Sequence, residues 1–542
     1  MFSVKKMIAS ARYSLTDHPI IIRSDELLVS YGELNVQERK AVQKILLEHG
    51  FETERLERMG MFRVPRFLMV GSRKVDLAKM IGPVVNINYP HQQSKCVRVS
   101  FPERIDVQNM LTHSRSFADF IEAHRQEIVK VLTNYETHAV ANDEIERAVD
   151  LFRSLDENAI YYQRKVKDIV SFTPRNQPLY ALGCFALVLA YMARSVYVHV
   201  PSVMKSFFPR LEEVLELKRF FPNVLVSYEQ RNKLIERCSK LKYDQTLDLW
   251  RSETDVVIFT GNPWNAKRVK NEFDKDTLFI ANGAGHNPVV VTPEADIEKA
   301  VAAVVDLQLY NQGQDCANPC TVLVHQAIHE VFAAKLLQAV KDVQVGPYSD
   351  QRCIVGPITK IGDLKRIQDI LIENSRWIHP ETPGIIHVAT RTVEPTILVK
   401  PLMAGGNYVE QLSPLLFVQQ YSSDNELAEY FENQQYWQNA MYVTVYGQSD
   451  YVDGLLDYRL SNDSILHDEA TILRNTHLHA KGVERGTKPY GGYGREASWI
   501  ERQNTIIAKP TLPPRDIFEQ LIAPSLELDL VGEIFREHHA SG

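Results

Sequence analysis

Cys316 stands in LYNQGQDCANPC, residues 309–320, where a Gly-Gln turn separates two regular elements. A thiol on such a turn can face a cleft, and as a thiolate it attacks electrophilic carbon. Taken alone, it reads as a small buried hydrophobe, the common state of a single cysteine. Cys316 and Cys320 are four apart, but no second pair of cysteines or histidines stands at zinc-ligand spacing beside them, so no metal is expected. His325 and His329 are also four apart, on a segment whose periodicity reads as a helix. With no third ligand they read as a solvated helix face.

The elements that must hold this turn alternate in type. Apolar residues recur at three- and four-residue steps from about Ser116 to Asp168, which predicts helices. Then VKDIVSF, SVYVHVP, NVLVSYE, ETDVVIFTG and DTLFIANG read as strands, with helices at FPRLEEVLELKRF and around NAKRVKNEF between them. Strand–helix alternation of this kind predicts an α/β fold, a parallel sheet covered by helices on both faces. A second series runs from PVVVTPEADIEKAVAAVV to about Tyr446 and predicts a second α/β domain. The first hundred residues mix short apolar runs (IIIRS, FRVPRFLMVG, VVNINYP) with polar connections, a small α/β region without visible chemistry. The C-terminal stretch holds one β-like run, a Pro-rich break and a polar tail ending in FREHHASG.

A chain of 542 residues needs two or three domains. Its 61 basic and 68 acidic residues leave a net charge of -7, without the basic footprint of a nucleic-acid binder. The six cysteines have no paired spacing and read as free thiols in a reducing compartment. MFSVKKMIASARYSL lacks the apolar core of a signal peptide. Leu179–Val200 is nearly long enough to span a membrane, but Arg194 interrupts it and VYVHV reads as a strand. A buried helix running into a buried strand accounts for it, and the cytoplasm is the expected location.

Seven segments, in order, resemble motifs of the aldehyde dehydrogenase superfamily: PRNQP (174–178), IFTGN (258–262), NGAGHNPVVVTPEADIEKAV (282–301), NQGQDC (311–316), VGPI (355–358), EQLSPLL (410–416) and KPYGGYG (488–494). The resemblance covers roughly residues 116–512. It implies a Rossmann-like cofactor domain at 106–281 and a catalytic α/β domain at 282–500, after an N-terminal extension at 1–105. Residues 501–542 would supply an oligomerisation strand near Thr505–Ala508 and the tail of a homodimer or homotetramer. Cys316 would be the nucleophile on an aldehyde carbonyl. The oxyanion would be held by the Asn176 side-chain amide and the Cys316 backbone N–H. NAD or NADP would accept hydride and leave a thioester on Cys316. The cofactor-binding residues would be Thr173, Pro174, Arg175, His199, Ser202, Gly261, Asn262, Glu410 and Leu412. Gly261 would let a phosphate approach the following helix N-terminus, and Glu410 would hold the nicotinamide ribose.

The departures from the pattern bear on the later steps. Asn282 replaces the glutamate that activates water in the hydrolytic branch, and an amide cannot accept that proton. Three outcomes are open: release to a thiol such as coenzyme A, as in the acylating branch that also carries asparagine; use of another carboxylate, Glu496 in YGREAS; or loss of turnover. His286, in place of the usual lysine, could titrate near neutral pH or be structural. Ser202 stands where a glutamate often meets the adenosine ribose, which leans toward NADP, and His199 replaces a lysine there, which weakens binding of either cofactor. Ala266 replaces a frequent glycine, and SYEQRNKLIERCSKLKYDQTLDLW replaces a shorter loop. Two alternatives follow: a CoA-acylating dehydrogenase or acyl-CoA reductase, and a non-catalytic binding protein on a decayed dehydrogenase scaffold.

Overall fold

Runs that are apolar at nearly every position must be covered on both faces, the condition of a central parallel strand. In the computed structural model VKDIVSF, LFIAN and VVV are such strands, almost wholly buried. The structure describes residues 103–524 except 245–248, 455–471, 478, 481–484, 493 and 495, with 20–22, 26–29, 40–42, 44–45, 62–65, 67–70, 73–76 and 87–88 before them. The tail FREHHASG and Cys96 lie outside the described residues.

The main strands in chain order are β1 (Val166–Phe172), β2 (Ala193–His199), β3 (Val224–Ser227), β4 (Thr254–Thr260) and β5 (Leu278–Asn282), then β6 (Val289–Val291), β7 (Val322–His325), β8 (Thr396–Pro401), β9 (Leu415–Tyr421), β10 (Val443–Tyr446) and β11 (Ile472–Arg474), and last β12 (Ser498–Arg502) and β13 (Thr505–Ala508). They form two sheets. The first has the order β13-β12-β5-β4-β1-β2-β3 and the second β8-β9-β7-β6-β10-β11. β1 to β5 are parallel, as is the whole second sheet, and β12 and β13 are antiparallel additions at the edge of the first. The alternation read from the sequence is therefore an α/β fold with parallel sheets.

One face of the first sheet packs on the helices Val107–Ala123, Arg125–Leu132 and His138–Arg153. The break between the first two falls at His124, and the segment LDENAIY continues as a 3₁₀ helix. The apolar stretch from residue 179 divides as expected, into a helical run from Pro178 to Ala190 with a π turn and then β2. Arg194 serves as a surface ion-pair partner, bonded to Asp168 and Glu253. No described helix is long and apolar enough to cross a membrane. The charged stretch before β4 holds a helix, Arg231–Cys238, and a hairpin of Leu241–Asp244 with Leu249–Ser252. The N-terminal region contributes a four-stranded sheet, in which Ile20–Ile22 pairs with Glu26–Val29 and with Ile87–Asn88.

The histidine pair corrects the sequence expectation. His325 ends β7 while His329 opens the helix His329–Lys341, so the two do not share a helix face. The apolar period of the helix begins only after a turn. Among the described residues no group of three metal-ligating side chains occurs.

Candidate active site

The turn that carries Cys316 is built from backbone that most residues avoid. After the helix Ile297–Leu309, Asn311, Gln312 and Gly313 take φ of 48°, 57° and 71°. A Cβ on Gly313 would lie 2.1 Å from the Ser413 carbonyl oxygen, so only glycine admits the EQLSPLL loop here. Cys316 follows, half-buried. Its carbonyl accepts from Asn287 Nδ2 at 2.7 Å, and a Cβ on Gly285 would lie 2.2 Å from that same oxygen. The Gly-rich turn 282–288 is thus packed on the Cys316 loop.

Cys316 opens onto a cavity of about 150 Å³. Asn176, Thr260, Asp315, Tyr490 and Thr511 share its wall with Cys316, and Leu151, Leu155, Phe185 and Val188 make an apolar side. Asn176 sits in the turn between β1 and the helix Pro178–Leu182, and its side-chain amide makes no hydrogen bond among the described residues. The Tyr490 hydroxyl contacts Cys316 Sγ, and Asp315 Oδ1 lies 3.6 Å from the sulfur. Burial, reinforced by Cys316 and Asp315, pushes the Tyr490 phenol well above its ordinary range. It therefore stays protonated and can donate to a thiolate. Tyr490 lies in KPYGGYG, a segment the sequence flagged without assigning this residue a role.

Asn282 is fully buried behind the wall. Its Nδ2 donates to Thr260 Oγ1 at 3.2 Å, and its Oδ1 accepts from Thr511 Oγ1 at 2.5 Å. Both threonines line the cavity. The Glu496 carboxylate accepts from Lys267 Nζ at 2.9 Å and is not among the described residues lining the cavity.

His286 is structural. It is buried among Tyr408, Tyr430 and Tyr436, with Nε2 2.5 Å from the Tyr430 hydroxyl. Burial pushes it down to about 3. Between that value and the ordinary histidine range near 6.5, the unfolded chain binds a proton there and the folded chain does not. Stability should therefore fall as pH falls through this window, by about 1.4 kcal/mol per pH unit for this residue. In His286→Gln, urea unfolding measured from pH 6 to 4 should have a slope shallower by one proton; an unchanged slope would sink the assignment.

The nominated cofactor residues lie mainly at the carboxyl ends of adjacent parallel strands, where doubly wound sheets open a crevice. Thr173, at the end of β1, donates Oγ1 to the His199 carbonyl at the end of β2 at 3.1 Å. Pro174 borders the cavity, and Arg175 pairs with Asp363 at 2.8 Å. Burial, then Lys205 and Arg231, push His199 down to about 4, with Glu229 opposing. Ser202 is exposed. Gly261 takes φ 149°, and its N–H donates to the Asn282 carbonyl at 2.8 Å. The next helix, Pro263–Lys270, is already capped: Asn262 Oδ1 accepts from Trp264 N at 3.0 Å and Asn265 N at 3.4 Å, while Pro263 has no N–H to give. A phosphate there would find few donors left. Glu410 is partly buried beside the nucleophile loop. Burial pushes it up to about 7 against the Gly285 N–H and Arg366. Leu412, with φ 47°, turns the same loop toward Ser413.

A family model described as the aldehyde dehydrogenase family matches residues 249–447. Among solved structures, the fold is similar to an aldehyde dehydrogenase from Brucella melitensis biovar abortus, at 16% identity, TM-score 0.60, over 77% of this chain and 84% of that one. It is similar too to betaine aldehyde dehydrogenase of Staphylococcus aureus in complex with NAD+, at 17% identity and TM-score 0.56 over 74% and 86%. The third is a glyceraldehyde-3-phosphate dehydrogenase of Methanocaldococcus jannaschii complexed with NADP, at 16% identity and TM-score 0.54 over 74% and 90%.

Proposed function

We propose that this chain, whose residues 249–447 match the aldehyde dehydrogenase family model, is a member of that superfamily and oxidises an aldehyde with NAD or NADP through a thioester on Cys316. The observation that carries this reading is the shared cavity of Cys316 and Asn176, with the Tyr490 hydroxyl on the sulfur. The thiolate adds to the carbonyl carbon, and the oxygen takes the charge. The Asn176 amide and the Cys316 backbone N–H donate to that oxyanion. A bound NAD or NADP would supply the hydride acceptor. Thr173, Pro174, Arg175, Glu410 and Leu412 would hold it, with Gly261 and Asn262 allowing it close approach to the backbone and not supplying a helix-end phosphate site. Lys205 and Arg231 beside His199, and Ser202 in place of a carboxylate, suit a 2′-phosphate and so favour NADP. The apolar wall favours an aldehyde with a hydrocarbon body. β13, at the free edge of the first sheet, would pair subunits in a homodimer or homotetramer, and a reducing cytoplasm would keep the thiol active.

A second reading concerns release of the acyl group. The Asn282 amide is engaged by two threonines and the Glu496 carboxylate by Lys267, which favours a thiol such as coenzyme A over water as acceptor. NAD(P)H formation across an aldehyde panel, with and without coenzyme A, tests both. Absence of NAD(P)H with every aldehyde and both cofactors would overturn the dehydrogenase reading and favour a decayed scaffold. Rates unchanged by the thiol would overturn the second.

A further inference from the structure

Two chain segments far apart in sequence must be held in register for Asn176 and Cys316 to act on one carbonyl, and each carries an unusual tether. Gln177, next to Asn176, takes φ 50°, a left-handed conformation that costs a non-glycine residue. Its Nε2 donates to Asp315 Oδ2 at 2.7 Å, and both side chains are buried. Asp315 is the residue before Cys316, and its other oxygen accepts from Ala317 N at 3.0 Å. The two neighbours of the reacting groups are thus joined directly. On the far side of the Asn176 turn, Glu144 Oε2 accepts from Leu179 N at 2.8 Å and Tyr180 N at 3.0 Å. On the near side, the Arg175 carbonyl accepts from the Tyr135 hydroxyl at 2.6 Å. The turn is fastened before and after Asn176, and among the described residues the Gln177–Asp315 bond alone ties it to the Cys316 loop by the residues adjoining both reacting groups.

We propose that Gln177 and Asp315 are a positioning pair, which sets the placement of the Asn176 amide relative to Cys316 Sγ. The inference rests on the thioester reading above. Gln177 touches no reacting atom and acts through Asn176, while Asp315 Oδ1 also lies 3.6 Å from Cys316 Sγ, a contact that bears on every reaction of that sulfur. A misplacement of the order of 1 Å at an oxyanion donor is costly, because the donor must meet the charge where it forms.

The test compares two reactions of Cys316 that need no cofactor. With p-nitrophenyl acetate the thiolate adds to the ester carbonyl: the C–S bond forms, the C–O bond breaks, and p-nitrophenolate leaves with the electron pair. This passes through an oxyanion. Alkylation by iodoacetamide displaces iodide and forms none. The ratio of the two rate constants cancels the thiolate fraction and isolates the oxyanion donor. Gln177→Gly keeps the left-handed turn without strain and removes the tether; Asp315→Ala removes it from the other side. Each should lower the acetylation-to-alkylation ratio about 10- to 100-fold. The double variant should fall no further than the lower single by more than about twofold, since the two remove one interaction. Asp315→Asn should hold the ratio near wild type, because the Gln177 amide can turn and accept from the new amide. Multiplying single effects, an unchanged ratio in either single variant, a ratio in Asp315→Asn as low as in Asp315→Ala, or a wild-type Cys316 that alkylates but does not acetylate would each overturn the positioning role. A wild type that acetylates but forms no NAD(P)H with any aldehyde would overturn the dehydrogenase reading instead.

Discussion

Cys316→Ala should lower aldehyde-dependent NAD(P)H formation by about 10⁴-fold or more, leaving a folded protein. The loss is that large because Cys316 is the thiol that shares the cavity wall with Asn176 and contacts the Tyr490 hydroxyl. Tyr490 is held protonated, and Asp315 is already engaged by Gln177 and the Ala317 N–H. Cys184 also lines the cavity, but on the helical wall, in the π turn Gly183–Leu187. Asn176→Ala should lose less, about 10²- to 10³-fold in kcat, since one donor is removed while the nucleophile stays. The contrast between the two is the informative quantity. Both variants should fold, because Cys316 is half-buried and Asn176 makes no side-chain hydrogen bond among the described residues. Steady-state absorbance at saturating aldehyde checks the order; Cys316→Ala retaining more than about one per cent of activity would exclude a covalent route through this residue.

The second large effect concerns the segment that closes the cavity from the C-terminal side. Thr511 and Leu512 line it, and Leu512 is held by Asp516, which has no exposed surface. Asp516 accepts from Leu512 N at 2.8 Å, from Arg515 at 2.9 and 3.1 Å, and faces Lys509 Nζ at 2.7 Å. Asp516→Ala would leave two buried cations with Glu519, 3.4 Å from Lys509, as the remaining acidic partner among those ion pairs. The expected cost is about 3 to 5 kcal/mol in urea denaturation. Burial would raise the Asp516 carboxyl, but Arg515 and Lys509 outweigh it and hold it below its usual value. A depressed folded value means the contribution is complete above the unfolded aspartate range and is lost as pH falls through the folded one. The variant should therefore differ from wild type at pH 7, begin to converge on it only below about pH 4, and reach it below the depressed folded value. A difference smaller than about 1 kcal/mol at pH 7 would refute the arrangement.

What the sequence determined by itself was local. Alternating apolar runs and amphipathic helices specify strands and helices through side-chain periodicity, so the two parallel sheets were legible. Asn262-Pro263 is an N-cap followed by a proline at the first helical position, a local signal that the helix end would satisfy itself. Gly313 beside Cys316 marked the nucleophile turn, although the Ser413 carbonyl that demands glycine there comes from a loop about a hundred residues away.

Tertiary structure decided every contact that crosses between distant segments. Gln177 meets Asp315 across 138 residues, and Asn282 meets Thr511 across 229. His286 could have been a titrating group by type alone, and only its enclosure by three tyrosines settles that it stays neutral. Periodicity reports which face of an element is covered but not by what; a hydrogen bond or a desolvated charge depends on the identity of that covering group. Cys316 is therefore a turn cysteine by sequence, and the partners around its sulfur exist only once the two sheets have packed.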